Sequence, residues 1–311
     1  MRYRLAGKDL LKKSRRKQLL ISHRQEGETM KEHSTPSLTG TVLALTAALL
    51  VATGAPAATT EAETSTRPWE LEIGLGSSYK PDYSGSKDSS LRLPIWASGK
   101  YQTEHLGTFA FDSGSLVLNP EVRWNFLDGR DAAFGLLLGY RDGRDEEDPG
   151  LLGGGTGSTR LQGMGTIDTA VDAGVQGHVL VFGVPLFAQV RSALNSEQGT
   201  LAILGAYVPL KLGSSFELTV MPTVTWADST QMQAFYSVTP VQSARSGFRT
   251  YEAGSGWQSA ALEIGGDLTI SGGWHAIGSV AYQRLLADAA ASPVVQEKGQ
   301  ASGLLGLSYR F

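Results

Sequence analysis

Hydrophobic and polar residues alternate with a period of two along much of the chain beyond residue 68. The clearest runs cover residues 69–76, 116–126, 167–179, 216–226 and 262–270. Successive side chains of a β-strand point to opposite faces of a sheet, so each run predicts a strand with one apolar and one polar face. Membrane barrels and soluble β-sandwiches both contain such strands, and alternation alone does not separate the two classes.

Three further features favour a membrane barrel. The runs are long, about ten to thirteen residues, which suits a tilted strand that spans a bilayer. The chain ends with Leu305, Leu307, Tyr309 and Phe311 on one face, an ending similar to the last strand of outer-membrane barrels. Aromatic residues recur near the ends of runs, where interfacial girdles lie: Trp69, Tyr101, Trp124, Tyr140, Trp226, Trp257, Trp274 and Tyr309. We therefore predict an all-β fold, a transmembrane antiparallel up-and-down β-barrel.

The runs predict about twelve strands, with about ten as the fallback. The predicted strands begin near Trp69, Leu91, Leu106, Ser115, Ala132, Gly165, Pro185, Gly199, Ser215, Gln258, Gly273 and Gln300. Tight connections at 103–105, 128–131, 182–184, 212–214 and 271–273 alternate with longer ones at 80–89, 142–163, 228–257 and 288–299. Short periplasmic turns and long outer loops are typical of such barrels.

Charged residues on the polar faces predict what fills the barrel. The inward set is Glu72, Arg92, Lys100, Glu121, Arg123, Asp168, Asp172, Lys211, Glu217, Glu263 and Asp267. Both signs are present, which favours a lumen closed by paired side chains. A narrow pore lined by the same groups is the alternative interpretation.

The N-terminal part is interpreted as a targeting sequence. Residues 41–52 are apolar and uncharged, and the small residues that follow predict signal-peptidase cleavage after Ala57 or Ala58. We therefore predict a signal peptide with a basic N-terminal extension at residues 1–57, and Met30 is an alternative start of the protein. A periplasmic lead-in follows at 58–68, and the barrel covers 69–311. Residues 1–57 hold 10 of the 27 basic and 4 of the 30 acidic residues, so the remainder has a net charge of −9.

That acidic charge does not favour binding to nucleic acid. The chain has no cysteine, which excludes disulfides, thiolate metal sites and a lipidated cysteine anchor.

Several segments resemble the MltA-interacting protein (MipA/OmpV) family of outer-membrane proteins. They are residues 81–86 (PDYSGS), 139–144 (GYRDGR), 235–240 (FYSVTP) with 246–248 (SGF) and 251–256 (YEAGSG), and 284–288 (RLLAD) with 292–295 (SPVV) before the final YRF. The resemblance runs from about Trp69 to Phe311. It implies a non-enzymatic scaffold that links a lytic murein transglycosylase and a bifunctional penicillin-binding protein in peptidoglycan biosynthesis.

The cellular setting that follows is the outer membrane of a Gram-negative cell, with lipid and lipopolysaccharide as surroundings. Two alternatives stay open, a small outer-membrane channel for solutes or antibiotics and a surface adhesin. Pull-down of murein enzymes and planar-bilayer conductance would separate the scaffold from the channel.

Candidate chemical sites are few. The cluster from Arg144 to Asp148 lacks the spacing of a calcium loop and favours a solvated loop tip. The glycine-rich run from Gly153 to Ser158 has no lysine partner for phosphate and favours a flexible loop. A hydrolase would need His105, His178 or His275 beside a nucleophile and an acid, and the sequence connects none of them to such groups. We predict no catalytic, cofactor or metal residue, and the sequence identifies no binding residue.

Overall fold

The computed structural model describes residues 67–151, 156–195 and 197–311. They form strands β1 to β14, which cover Trp69–Pro81, Ser89–Arg92, Ile95–Gln102, Thr108–Asp112, Glu121–Asp128, Ala132–Arg141, Ala170–Val181, Val184–Ala193, Thr200–Ala206, Val208–Lys211, Phe216–Ala227, Gly256–Ser271, Trp274–Leu285 and Gly299–Arg310. Helices α1, α2 and α3 cover Ser229–Tyr236, Pro240–Ser246 and Ala287–Ala291. In the described part of the chain, no helix is long and apolar enough to cross a membrane.

The strands close into an antiparallel barrel because β1 pairs with β14 at the seam. Two wall strands are interrupted. β2 and β3 both pair with β1 on either side of Pro94, and β9 and β10 both pair with β11. Proline has no amide proton for a strand ladder, which explains the first break. The fourteen segments therefore make twelve wall strands, as the alternation predicted.

Strand β6 illustrates why the sequence forms a barrel wall. Exposed and buried residues alternate along all of it. Phe134, Leu136 and Leu138 are 42%, 45% and 56% exposed on the outside, whereas Leu137 and Arg141 are buried inside. An outer surface of large apolar side chains is favourable only against lipid, so the outward face is the membrane face.

The two ends of the barrel differ. Both described chain ends lie at one end, where the Phe311 amide donates to the Leu71 carbonyl at 2.9 Å. The connections at this short-turn end are brief, such as residues 182–183 and 272–273. The opposite, long-loop end carries residues 82–88, 142–151, 156–169, 228–255 and 286–298, which together we call the cap. The predicted alternation of short and long connections is confirmed.

Ten of the twelve predicted strand starts lie within two residues of the observed ones. Two were wrong. The strand predicted from Ser115 begins at Glu121, because residues 113–120 turn into the lumen. The strand predicted from Gly165 begins at Ala170, so Asp168 lies exposed in the cap and does not point into the lumen. The predictions for residues 1–57 and for most of the lead-in fall outside the described residues.

Candidate functional site

Four charged side chains from neighbouring strands interlock in the lumen. Arg191 Nε lies 2.7 Å and Arg141 Nη2 lies 2.9 Å from the Asp172 carboxylate. Arg191 Nη1 also lies 3.1 Å from Glu121 Oε2. Asp172 and Arg191 are fully buried, and the other two are nearly so. Because an unpaired buried charge costs several kcal/mol, these residues must stay together, and they fill one side of the barrel.

Residues 113–120, the inner loop, cross the lumen from the long-loop end of β4. Ser115 Oγ donates to the Glu263 carboxylate at 2.8 Å, and the Leu116 amide lies 3.2 Å from both Glu263 oxygens. Glu263 belongs to β12, on the far side of the barrel from β4 and β5. Sequence alternation placed Glu263 correctly on the inner face. It placed Leu116 and Leu118 on the lipid face, and there the structure differs.

The cap closes the long-loop end through two small apolar cores. One joins Met232 and Tyr236 of α1 to Ala289 of α3 and to strand ends. The other joins Tyr83, Leu161, Met164, Val238 and Val294, which come from four different connections. Most of the segments that resemble the MipA/OmpV family therefore meet in the cap, although they are far apart in the chain.

Hydrogen bonds join the cap to the barrel wall. The Tyr83 hydroxyl donates to the Val294 carbonyl at 3.1 Å, and the Tyr236 hydroxyl lies 2.9 Å from Ser84 Oγ. Gln300 of β14 donates to two carbonyls of the 82–88 connection. Burial raises the pKa of Tyr83 and of Tyr236 above the usual value, so both phenols are neutral at physiological pH.

A cavity of about 260 Å³, which we call the chamber, lies between the cap and the inner loop. Its lining includes four basic side chains, Lys80, Arg92, Arg141 and Arg144, and one acidic side chain, Asp142. Burial raises the pKa of Asp142, while the charges of Lys80 and Arg92 act in the opposite direction. The chamber is therefore a polar, mainly cationic compartment inside the barrel.

Arg144 is the most unusual of these residues. It is 4% exposed, and its Nη1 donates to the Phe235 carbonyl at 2.6 Å. Its Nε and Nη2 are buried without a hydrogen-bond partner. Burial lowers the pKa of Arg144 from its usual value to about 10, so the side chain is still charged at neutral pH. The prediction of a solvated tip was wrong for Arg144.

The acidic residues that follow Arg144 bind the loop to itself. Asp145 Oδ1 accepts from Thr166, Glu146 accepts from the Gly165 amide, and Asp148 Oδ1 accepts from the Thr159 amide at 2.9 Å. Among the described residues no group of three or more His, Cys, Asp or Glu side chains is arranged to hold a metal. Part of the glycine-rich run, residues 153–155, lies outside the described residues.

At the short-turn end, His275 belongs to a second charged cluster. Its Nδ1 lies 2.6 Å from Asp267, and Arg310 bridges Asp267 at 2.9 Å and Glu72 at 2.7 Å. Ser308 is the cross-strand neighbour of His275 and is buried with it. The pattern of residues along the chain did not predict that His275 meets an acid. His105 lies on an exposed turn beside Glu104, and His178 is half-buried on the inner face.

The turn between β7 and β8 at the same end exposes a phenylalanine. Phe182 and Gly183 form the two-residue turn, with φ values of 51° and 80°. Phe182 is 102% exposed, so its ring has no contact with the rest of the barrel. A side chain with a Cβ is strained at positive φ, by about 1–2 kcal/mol.

Part of the chain is similar to curated proteins. Curated relatives called MltA-interacting protein, from Escherichia coli (strain K12) and Shigella flexneri, are each 33% identical over 96 residues. These alignments cover 30% of this chain and 38% of each relative. The chain thus aligns with less than half the length of those relatives.

Solved outer-membrane barrels also match the chain, at low identity and with low TM-scores. OmpT of Vibrio cholerae matches with a TM-score of 0.33 at 7% identity, over 81% of this chain and 100% of that one. OprB of Pseudomonas putida matches with a TM-score of 0.35 at 11% identity, over 78% of this chain and 72% of that one.

The family comparison covers almost the whole barrel. The model described as MltA-interacting protein MipA matches residues 73–311, from the first strand to the last residue. This range includes the cap, the inner loop, the charged cluster around Arg191 and all of the short-turn cluster except Glu72. The sequence resemblance is confirmed, and the chain belongs to the MltA-interacting protein MipA family.

Proposed function

We propose that this chain is a non-enzymatic scaffold in the outer membrane of a Gram-negative bacterium. It binds a lytic murein transglycosylase at the periplasmic end of the barrel and brings it together with a bifunctional penicillin-binding protein in peptidoglycan biogenesis. The observation that carries the proposal is the family match over residues 73–311, in a family described by interaction with MltA. Outer-membrane lipid and lipopolysaccharide surround the apolar wall.

The interaction surface that we propose is the short-turn end together with the lead-in at residues 58–68. Short turns face the periplasm in outer-membrane barrels, where murein enzymes work. Phe182 supports this assignment because its exposure and its positive φ both disfavour phenylalanine at that position. A strained, exposed aromatic side chain is typical of a residue kept for binding.

The inner loop and the cap support a scaffold over the rival channel. The cap and the inner loop both obstruct the path along the barrel axis, and a scaffold needs no such path. Solute transport would require both obstacles to move.

Co-purification tests the scaffold. The tagged protein is cross-linked in intact cells, solubilised and purified, and the bound proteins are identified by mass spectrometry. We expect a murein transglycosylase and a penicillin-binding protein, with cross-links on the short turns or the lead-in. Recovery of neither enzyme would refute the proposal.

Phe182→Asn tests the proposed surface. Asparagine tolerates positive φ and is favoured before glycine in such turns, so the barrel should keep or gain stability. Loss of the ring should weaken transglycosylase capture by about tenfold, as expected for an aromatic anchor worth 1–2 kcal/mol. Val241→Asn, at a 58% exposed position in the cap, is the matched control and should bind normally. Equal capture by both variants would exclude Phe182 from the surface.

A further inference from the structure

One charged side chain of the barrel wall faces the lipid. Along β13 the exposed residues Tyr282 and Arg284 alternate with the buried residues Ala281 and Leu285, so Arg284 lies on the outward face. The other charged residues of the described strands all lie at inward-facing positions. Arg284 has no hydrogen-bond or ion-pair partner among the described residues. It is therefore a free cation on the outside of the barrel.

Aromatic side chains mark the depth of Arg284 in the membrane. Arg284 is the last residue but one of β13, at the long-loop end. Tyr282 is 51% exposed on the same face, and Trp257 of the neighbouring strand β12 is 48% exposed at the same end. Exposed Trp and Tyr side chains of a barrel lie between the acyl chains and the head groups. Two residues of strand span about 7 Å, so Arg284 lies beyond Tyr282, at the level of the head groups.

The hydroxyl of Tyr282 lies close to the strand position of Arg284. Gly299 of β14 is the cross-strand partner of Arg284, and a Cβ added at Gly299 would overlap the Tyr282 hydroxyl. The tyrosine ring therefore points along the wall towards the outer rim. Its hydroxyl has no hydrogen-bond partner among the described residues. A guanidinium and a phenol hydroxyl are thus both available on this part of the outer surface.

Lys298 adds a second positive charge to the same rim. It is exposed, it precedes Gly299, and its carbonyl accepts from the Leu285 amide at 2.8 Å. The neighbouring Glu297 is also exposed and offsets part of the Lys298 charge. No described carboxylate forms an ion pair with Arg284. The positive charge available to a ligand is therefore centred on Arg284.

We propose that Arg284 and Tyr282, with Lys298, bind a phosphate group of a glycolipid in the outer leaflet. A guanidinium binds phosphate through paired N–H donors, and the tyrosine hydroxyl adds another donor. Lipopolysaccharide has this chemistry, because its lipid A part carries phosphate groups directly above the acyl chains. The inference rests on the orientation in the proposed function, with the long-loop end outward, and does not depend on the murein enzymes.

Lipid binding in detergent tests the site. The full chain is refolded from urea into micelles of a neutral detergent and titrated with diphosphoryl lipid A or with lipid A that lacks both phosphates. Native mass spectrometry counts the bound lipid. We expect the phosphorylated lipid to bind at least tenfold more tightly, and an excess of inorganic phosphate not to displace it, since the acyl chains also contact the wall. Equal binding of the two lipids, or displacement by inorganic phosphate, would overturn the proposal.

Substitutions then locate the site. Arg284→Gln should weaken binding of diphosphoryl lipid A about fivefold, because one cation near the anionic surface is lost. Tyr282→Phe keeps the ring and should weaken binding about threefold, through the lost hydroxyl. Arg130→Gln, at an exposed turn of the short-turn end, is the matched control and should bind normally.

The compact band that a folded barrel gives on a gel without heating confirms that each variant is folded. Arg284 has no partner in the wall, so its replacement should leave this band unchanged. Binding as tight in Arg284→Gln and in Tyr282→Phe as in the original protein would refute the site. Co-purification of murein enzymes is a separate measurement, so failure of the lipid site and failure of the scaffold are distinguishable.

Discussion

At the scale of single residues, glycine decides what fits inside this barrel. Trp96 points into the lumen and is 6% exposed. Its indole lies over Gly74 of β1 and Gly306 of β14, and a Cβ added at either glycine would overlap the ring. Gly114 of the inner loop is next to the other side of the indole. Trp96 thus joins the barrel wall to the inner loop.

Gly74→Ala should destabilise the barrel by about 1–3 kcal/mol, the usual cost of overpacking a tight interior. Trp96 is rigid and enclosed, so it cannot move aside cheaply. The urea midpoint of the compact gel band is the measurement. Gly265→Ala is the control, because its new Cβ would meet only Thr219 Cβ at 4.0 Å. Equal midpoints for Gly74→Ala and the original protein would contradict this packing.

The residue scale also shows where sequence reasoning stops. Asp172, Glu121 and Glu263 were placed on the inner face because each lies in an alternating run, and all three are buried there. Arg144 was missed because it lies in a connection, where no periodicity fixes the direction of a side chain. Its place in the family-like segment 139–144 was the one available signal that it differs from the acidic residues after it.

At the scale of elements, the inner loop explains the largest error in the predicted strands. Residues 116–126 alternate without a break, so the pattern favours one long strand. In the structure β5 begins only at Glu121, because Ser115 and Leu116 bind Glu263 across the barrel. A local pattern of residues cannot predict a contact between residues 147 or 148 positions apart. Alternation predicted the wall well and could not predict an element that leaves it.

Cross-linking checks the inner loop directly. The chain has no cysteine, so a Ser115→Cys, Glu263→Cys double variant has no background thiols. Ser115 and Glu263 are in side-chain contact, and a short bifunctional thiol reagent should join them and change the gel mobility of the unfolded chain. Ser115→Cys with Glu217→Cys is the control, since Glu217 is about 13 Å further towards the short-turn end. A cross-link in neither pair, in a correctly folded protein, would show that the loop lies elsewhere.

At the scale of the whole molecule, the barrel has different structures at its two ends and a barrier between them. The short-turn end exposes Phe182 to the periplasmic side in the proposed orientation. The long-loop end is closed by the cap, and the inner loop divides the lumen below it. The chamber lies between these two barriers. An arrangement in series of this kind blocks continuous flow even if one barrier opens.

Planar-bilayer recording tests the two barriers together. The original protein should give no steady conductance steps, because the cap and the inner loop each obstruct the lumen. Shortening only residues 114–119 leaves the cap, and shortening only residues 229–252 leaves the inner loop, so neither variant should conduct steadily. The combined variant should show steps, provided that the compact gel band confirms a folded barrel. Steady steps from the original protein would instead support the channel, because they would mean that both barriers open together in the membrane.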